Sequence, residues 1–206
     1  CFSSVQNNPK ISVLMSVHNS DLFVLRKSIE SILNQSYRYF EFIIIDDINR
    51  IDISEYLANL TRSDSRIRLI KNNINLGLTK SLCKAAKTTT GVFIARQDAD
   101  DISESNRFKE QLDKFLENPH IVLVGTWYTL ELFTGRLLSY HPKDDDKEFR
   151  KELYFSNPIC HASAMFKKSA FDQVGGYDTN YITTQDLDLW FRLSKVGSVG
   201  FVTKEL

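Results

Sequence analysis

The sequence lacks the features that mark several classes of protein. Its 3 cysteines, Cys1, Cys83 and Cys160, are scattered and do not form the close pairs of a zinc knuckle or a redox motif. No run approaches the roughly 18 apolar residues that span a membrane, and the N-terminus lacks the basic-then-apolar pattern of a signal peptide. We therefore expect no transmembrane segment and a cytoplasmic location, with peripheral attachment at the inner face of the membrane as an alternative.

An excess of charge of one sign is also missing, because 26 basic residues balance 26 acidic ones. Such a chain has no overall field to attract nucleic acid or an anionic membrane. We therefore expect no nucleic-acid partner, and we expect any phosphate-bearing ligand to be held by local groups. With 206 residues, 42% of them apolar, the chain is long enough to bury the core of one domain.

From Ile11 to about Val124, short β-branched runs alternate with segments of helical periodicity. The helical segments repeat apolar residues every three or four positions, as Leu25, Ile29 and Ile32 do. This alternation predicts an α/β fold, with a mostly parallel sheet flanked by helices. The predicted strands are Ile11–Val17, Phe42–Ile45, Ile67–Ile70, Val92–Ala95 and Ile121–Val124.

A polar cluster follows each of the first four predicted strands. The carboxyl ends of parallel strands meet at one edge of the sheet, and open α/β sheets bind ligands at that edge. We therefore expect the four clusters to line one crevice. They are His18–Ser20, Asp46–Asp47, Asn72–Gly77 and Asp98–Asp101.

The fourth cluster carries the strongest chemical signal, since Asp98, Asp100 and Asp101 place three carboxylates within four residues. Crowded carboxylates ionise most readily beside a cation, and Mg²⁺ and Mn²⁺ prefer oxygen ligands. We therefore expect a divalent-metal site that binds a diphosphate, with Asp100 as the first ligand and Asp98 as the second. The alternative is that one carboxylate caps the following helix while the others are solvated.

After Gly125 the pattern changes. Trp127–Leu132 and Arg136–Tyr140 predict a hairpin, and the charged segment near Asp144–Tyr154 predicts a helix. The remaining predicted elements are a short strand at Ala162–Phe166, a helix from about Asp186 and a strand at Ser198–Val202.

Several longer motifs occur along the chain in a fixed order. They are I-S-V-L-M-S-V-H-N at 11–19, S-I-E-S-I-L-N-Q-S-Y at 28–37, F-E-F-I-I-I-D-D at 40–47, N-L-G-L at 75–78, D-A-D-D at 98–101, V-G-G-Y-D at 174–178 and Q-D-L-D-L-W-F-R at 185–192. In these motifs the chain resembles the family 2 glycosyltransferases of GT-A fold, from Lys10 onward. Several motifs in the same order along the chain identify a family far more specifically than any single motif does.

The resemblance implies a Rossmann-like GT-A domain with a smaller acceptor-side lobe. It further implies inverting transfer of a sugar from a nucleoside-diphosphate sugar to a glycan or lipid-linked saccharide, with Mn²⁺ or Mg²⁺. A UDP-sugar is the first donor candidate, and surface polysaccharide such as O-antigen or capsule is the expected product. The chain then divides into an N-terminal extension (1–9), a nucleotide-sugar-binding half (10–125) and an acceptor-side half (126–206) that we expect to be incomplete at its C-terminus.

The resemblance also assigns roles to individual residues. Asp186 is expected to be the catalytic base, and His161 and Trp190 are expected near the acceptor. Each has a structural alternative: a helix cap for Asp186, core packing for Trp190 and a structural or solvated role for His161. The residues expected to hold the nucleotide sugar are Val17, Asn19, Asp46, Asp47, Asn75, Gly77, Lys80, Asp98 and Asp100.

The chain departs from the family pattern at a few positions. Where many relatives read Asp-Asp-Gly-Ser, this chain reads Asp-Asp-Ile-Asn at 46–49, without the glycine that eases a tight turn after a strand. Ser16 and His18 stand where many relatives carry proline and tyrosine. Among basic residues near the clusters, we expect Arg107 to pair with the acidic run and Lys84 to be solvated.

Two other interpretations stay open. Phosphatases of the haloacid dehalogenase type also place Asp-x-Asp after a buried strand, but there the strand opens the domain, whereas here three strand-helix units precede Asp98. The second alternative is a non-catalytic domain that binds nucleotide sugars. Intact donor binding without turnover would favour it.

Overall fold

A computed structural model describes residues 8–206, so residues 1–7 of the predicted N-terminal extension lie outside the described residues. The strands are β1 (Ile11–Val17), β2 (Phe40–Asp46), β3 (Ile67–Lys71), β4 (Phe93–Arg96), β5 (Ile121–Glu131), β6 (Leu137–Tyr140), β7 (Met165–Lys167) and β8 (Ser198–Glu205). The helices are α1 (Leu22–Leu33), α2 (Ile51–Ser63), α3 (Leu78–Ala86), α4 (Arg107–Glu117), α5 (Asp146–Glu152), α6 (Lys168–Gln173) and α7 (Gln185–Leu193), with a 3₁₀ turn at His161–Ser163.

The strands form one sheet in the order β3-β2-β1-β4-β7-β5-β6, with β8 paired to β5. Strands β1 to β4 run parallel to one another, and β8 runs parallel to β5. Strand β7 lies antiparallel to both β4 and β5, so β4 and β5 point the same way. The carboxyl ends of β1 to β5 therefore lie at one edge, and the predicted α/β fold with a mostly parallel sheet flanked by helices is confirmed.

Side-chain alternation along the strands divides the core into two layers, one on each face of the sheet. Val13, Met15 and Ile44 pack with the apolar faces of α1, α2 and α4. Leu14 and Ile43 point to the opposite face, where they pack with α3 and with the helices of the C-terminal half. Both faces of the parallel strands are thus covered, which explains why β1 and β2 read as nearly continuous apolar runs.

Two helices that border the carboxyl edge begin in different ways. The carboxylate of Asp21 accepts hydrogen bonds from the amides of Phe23 and Val24 at 2.9 and 3.1 Å, which caps α1. Helix α3 follows Gly77, whose φ of 77° lies in the region that favours glycine. Asp21 and Gly77 therefore set where these two helices start beside the edge.

Most predicted elements agree with the structure, but helix α6 was not predicted, β8 extends past Val202 to Glu205, and two further strands differ. Strand β5 does not stop at Val124 but continues to Glu131, where its end pairs with β6 to form the predicted hairpin. The predicted strand at Ala162–Phe166 is wrong in its first half, because Ala162 lies in the 3₁₀ turn and β7 begins at Met165. The backbone changes direction there so that β7 can run antiparallel between β4 and β5.

Candidate active site

The loops that follow β1 to β4 enclose a cleft of ≈ 580 Å³ at the carboxyl edge of the sheet. We call it the donor cleft. The prediction that the four polar clusters converge on one crevice is confirmed in its geometry. Six of the residues predicted for the nucleotide sugar line it: Asn19, Asp47, Asn75, Gly77, Asp98 and Asp100.

Asp47 joins the loop after β2 to the loop after β3. Its Oδ1 accepts hydrogen bonds from Asn72 Nδ2 and the Leu76 amide, both at 2.8 Å, and its Oδ2 accepts one from the Gly77 amide at 2.9 Å. The residue is only 1% exposed. The carboxylate of Asp47 therefore holds the wall of the donor cleft in place.

His18, which belongs to the first predicted polar cluster but has no predicted role of its own, links three of the loops. Its Nδ1 lies 2.7 Å from the Asp47 carbonyl and 3.0 Å from the Ile48 carbonyl, so this nitrogen donates and carries the proton. Its Nε2 then accepts from the side-chain amides of Asn19 and Asn75, each at 3.0 Å.

The structure corrects two of the predicted donor contacts. Both carboxylate oxygens of Asp46 are bonded within the protein, Oδ1 to Asn49 Nδ2 and Oδ2 to the Ser54 hydroxyl, each at 2.7 Å. Val17 is fully buried, and its carbonyl accepts from the Asp47 amide. Both residues support the donor cleft from behind and do not line it.

Ile48 occupies the position where the family pattern has glycine. Its φ is 59°, in the left-handed region that β-branched residues rarely adopt. The turn after β2 therefore keeps a glycine-like backbone although its residue is not glycine. The hydrogen bond from His18 to the Ile48 carbonyl helps to hold this strained conformation.

The acidic turn, Asp98–Asp101, lies beyond β4, which ends at Arg96. Strand alternation does not continue into it, so the shared orientation of Asp98 and Asp100 toward the donor cleft comes from the turn itself. Asp98 Oδ1 pairs with Nη2 of the fully buried Arg96 at 2.5 Å. Burial alone would raise the pKa of Asp98, but the charges of Arg96 and its neighbours bring it below its usual value.

The charges of the acidic turn fit a cation. Desolvation by the surrounding protein, followed by the carboxylates of Asp98 and Asp100, raises the pKa of Asp101 to about 6. Within residues 8–206 the structure gathers no set of three or more metal-binding side chains. A cation here would therefore take much of its coordination from diphosphate and water, as Mg²⁺ usually does.

The basic residues near the turn differ from expectation. Arg107 is fully buried but pairs with no carboxylate among residues 8–206, and its guanidinium instead donates to Gln97, Ser103 and backbone carbonyls. Lys84 is not solvated, since its Nζ donates to Asn72 Oδ1 at 2.7 Å. Both residues organise the walls of the donor cleft. Lys80 is exposed, and its predicted contact with the nucleotide sugar stays a prediction.

The structure also corrects both predicted acceptor contacts. Trp190 is fully buried against the rings of His161 and Phe166, so no sugar can stack on it. His161 is buried too, and its Nε2 accepts from Arg96 Nε at 3.1 Å and from the Tyr177 hydroxyl at 2.9 Å. Burial and the Arg96 charge lower the pKa of His161 to about 3, so the neutral ring orients Arg96.

Asp186 lies in the first turn of α7, and the alternative that it caps this helix is wrong because Thr184 occupies the cap position. Its Oδ2 accepts a hydrogen bond from Asn157 Nδ2 at 2.6 Å, and the residue is half-buried. Burial and the charges of Asp186 and Asp98, opposed by Arg96, raise the pKa of Tyr177. Both carboxylates therefore contribute to the electrostatic surroundings of this hydroxyl.

Asp188 has different surroundings from Asp186, although only one residue separates them. Its Oδ2 pairs with Arg192 Nη2 at 2.5 Å. The same guanidinium donates to the carbonyls of Val174 and Gly176, so the pair ties α7 to the turn before it. Asp188 is thus a structural residue.

The structure is that of an α/β protein with a cleft at the carboxyl edge of its sheet, and sequence comparisons narrow this class to one family. The profile described as Glycosyl transferase family 2 matches residues 12–175. Putative glycosyltransferase EpsE of Bacillus subtilis (strain 168) is 33% identical over 209 residues, which cover 98% of this chain and 72% of EpsE. The chain therefore belongs to glycosyltransferase family 2, which overturns the phosphatase alternative.

Further similarities agree with this assignment. O-antigen biosynthesis glycosyltransferase WbnJ of Escherichia coli is 34% identical over 184 residues, which cover 89% of this chain and 71% of WbnJ. Mannosyltransferase PcManGT from Pyrobaculum calidifontis, solved in complex with GDP-Man and Mn²⁺, shares the fold with a TM-score of 0.70 at 16% identity, over 96% of this chain and 55% of that one. The chain thus spans only part of each protein. No helix within residues 8–206 is long and apolar enough to cross a membrane.

Proposed function

We propose that this chain transfers a sugar from a nucleoside-diphosphate sugar to a hydroxyl of a glycan or lipid-linked saccharide, with inversion, as a GT-A enzyme. The observation that carries the proposal is the donor cleft, where the acidic turn and the loop of Asn75 and Gly77 line one cavity. Family membership supports the transfer chemistry. The name of WbnJ supports a surface polysaccharide as the product.

The donor cleft divides into regions of different chemistry. The side-chain amides of Asn19 and Asn75 suit the base and ribose, because they offer both hydrogen-bond donors and acceptors. The start of α3 suits phosphate oxygens, and the exposed Lys80 of the same helix, which lies outside the lining of the cleft, is proposed to reach them. A UDP-sugar is the first candidate, and the GDP-Man bound to the archaeal mannosyltransferase makes guanosine the second base to test.

Asp100 and the second carboxylate oxygen of Asp98 would hold Mn²⁺ or Mg²⁺. Asp98 Oδ1 is engaged by Arg96, which fixes the direction of the remaining oxygen. When bound, such an ion offsets the negative charge that develops on the leaving diphosphate.

Asp186 is the proposed base. In an inverting displacement the acceptor oxygen bonds to the anomeric carbon, the bond to the diphosphate oxygen breaks with its electron pair, and the hydroxyl proton passes to Asp186. The neutral side-chain amide of Asn157 orients the Asp186 carboxylate through a hydrogen bond, whereas the positive charge of Arg192 neutralises Asp188. Asp186 is therefore better suited than Asp188 to accept a proton.

The test is thermal unfolding with uridine, guanosine, thymidine and cytidine diphosphates, each with and without Mn²⁺. One nucleotide with Mn²⁺ should raise the melting temperature by several degrees, since ligand at a hundred times its Kd adds about 2.7 kcal/mol. Asp100→Asn should remove the metal-dependent part of the shift. Asp101→Asn, which changes a carboxylate outside the lining of the donor cleft, is the matched control.

A flat response to all four diphosphates would remove the donor-site hypothesis. Equal losses from Asp100→Asn and Asp101→Asn would show that the metal ligand is wrongly assigned. Binding of a nucleotide sugar without transfer to any acceptor would favour the non-catalytic alternative.

A further inference from the structure

A second cleft, of ≈ 400 Å³, lies between the β5–β6 hairpin and α5. Tyr128 and Tyr140 contribute aromatic surface to it, with ring planes 10° apart and centroids at 4.9 Å. Tyr140 is 42% exposed, so the stacked pair is open to a ligand. Glu152 and Asn157 line the same cleft with exposed polar groups. A flat aromatic surface therefore shares this cavity with a carboxylate and an amide.

The position of this cleft relates it to the donor cleft. Strand β5 points in the same direction as β4, and beyond Trp127 it leaves its pairing with β8 and continues into the hairpin. Tyr128 is thus carried past the carboxyl edge at which the acidic turn lies. Both clefts open at the same edge of the sheet.

Asn157 connects the second cleft to the proposed base. It lines the cleft, and its Nδ2 donates to Asp186 Oδ2 at 2.6 Å. A ligand hydroxyl that reaches Asn157 is therefore also brought beside the carboxylate of Asp186. Because of this hydrogen bond, the cavity is a candidate substrate site.

The lining selects among ligand classes. A purely apolar ligand would leave Glu152 and Asn157 without partners in a buried contact. A phosphate would face the carboxylates of Glu148 and Glu152, against Lys143 as the one lysine in the lining. A sugar ring satisfies both surfaces, because its C–H face covers an aromatic ring while its hydroxyls donate to a carboxylate and accept from an amide.

We propose that this cleft binds a saccharide, with one sugar ring against Tyr140, which Tyr128 supports by stacking, a hydroxyl on Glu152, and the reacting hydroxyl at Asn157 and Asp186. We call it the acceptor cleft. Its role as the acceptor site rests on the proposed function, whereas saccharide binding as such does not.

The experiment uses saturation-transfer NMR with the methyl glycosides of glucose, galactose, mannose, rhamnose, N-acetylglucosamine and N-acetylgalactosamine. At least one glycoside should bind, and Tyr140→Ala and Glu152→Gln should each weaken it by roughly fivefold to tenfold. Glu152→Gln changes an exposed side chain and leaves the fold intact. Phe133→Ala, which removes a fully exposed ring at the hairpin tip outside the cleft, is the control and should change nothing.

A parallel titration with the nucleoside diphosphates and Mn²⁺ separates this inference from the proposed function. If nucleotide binds but no glycoside does, or if the bound glycoside ignores both variants, the acceptor cleft is wrong and the donor cleft stands. If a glycoside binds and responds to both variants while no nucleotide binds, the saccharide site stands and the proposed function fails.

Discussion

The two clefts at the carboxyl edge differ in how their polar groups are satisfied. In the donor cleft, Asp47 and His18 use nearly every polar atom to join neighbouring loops. In the acceptor cleft, Glu152 and Asn157 are exposed, and Tyr140 leaves much of its ring open. The first cleft is held in one shape before any ligand arrives, whereas the second leaves the Glu152 carboxylate and the Tyr140 ring largely available, with Asn157 bonded to Asp186.

This difference suits two kinds of ligand. A network of buried hydrogen bonds holds side chains in place and reduces the ordering that binding requires. Such a site fits a donor of constant structure, a nucleoside diphosphate. Exposed aromatic and polar groups on a hairpin and a short helix can change without loss of the fold, which fits a variable saccharide.

The largest expected effect concerns Asp186, the proposed base, which is bonded to Asn157 of the acceptor cleft. In Asp186→Asn, the side-chain oxygen can still accept the hydrogen bond from Asn157, but the amide cannot accept a proton. If Asp186 is the base, transfer should fall by about 10² to 10⁴-fold while nucleotide affinity stays nearly unchanged. The measurement is turnover and donor affinity for the purified variant beside the parent chain.

Asp188→Asn provides the matched control on the same helix turn. It weakens the pair with Arg192, so it should lower the melting temperature but leave turnover per folded molecule near the parent value. Full activity in Asp186→Asn, or equal loss of activity in both variants, would contradict the assignment of the base.

The next effect concerns stability and should separate the clefts directly. Asp47→Ala removes the acceptor of three hydrogen bonds in a buried position. The Leu76 amide loses its acceptor, whereas Asn72 Nδ2 and the Gly77 amide each keep one weaker, uncharged partner, Ser81 Oγ and Asn75 Oδ1. We expect the free energy of unfolding to fall by roughly 3 to 5 kcal/mol. Glu152→Ala in the acceptor cleft should change it by less than about 0.5 kcal/mol, as exposed positions do.

Urea denaturation of the two variants, read by circular dichroism, measures both free energies. Similar small losses in Asp47→Ala and Glu152→Ala would mean that the donor cleft is not held by the Asp47 carboxylate. The contrast between the clefts would then have to be abandoned.

Sequence patterns predict the donor side better than the acceptor side, for a physical reason. The strand runs and the polar residues that end them are local signals, so Asn19, Asn75 and Asp100 are found where parallel strands must bring them. Whether a polar residue faces the ligand or the protein depends on distant partners. The side chain of Ser54 engages Asp46, and this contact cannot be read from the run that contains the aspartate.

Tertiary packing explains the errors on the acceptor side as well. Trp190 shares a helical face with residues that bury it, and His161, in the 3₁₀ turn, contacts Arg96 at the end of β4, 65 positions earlier in the chain. The acceptor cleft itself forms between the β5–β6 hairpin and α5, whose relative placement no sequence motif encodes. Only one local sequence signal could have indicated Tyr128 and Tyr140: the predicted hairpin sets them opposite each other. In the structure the two residues are paired across β5 and β6.

The smallest expected effect tests the strain stored in the donor cleft. Ile48 adopts a φ of 59°, and a left-handed conformation costs an L-residue about 1 to 2 kcal/mol. Glycine relieves this strain but adds about 0.5 to 1 kcal/mol of entropy loss on folding. Ile48→Gly should therefore stabilise the chain by about 0.5 to 1 kcal/mol, because the isoleucine side chain is 43% exposed and contributes little packing.

Ile48→Ala separates relief of strain from simple removal of an exposed apolar side chain. Alanine retains its Cβ and hence most of the penalty at positive φ, so it should give no stabilisation. The carbonyl at position 48 survives in both variants, so the hydrogen bond from His18 should persist and nucleotide affinity should stay the same. Thermal unfolding of both variants decides the point, since equal shifts for glycine and alanine would mean that the turn after β2 is unstrained and that the donor cleft tolerates isoleucine at no cost.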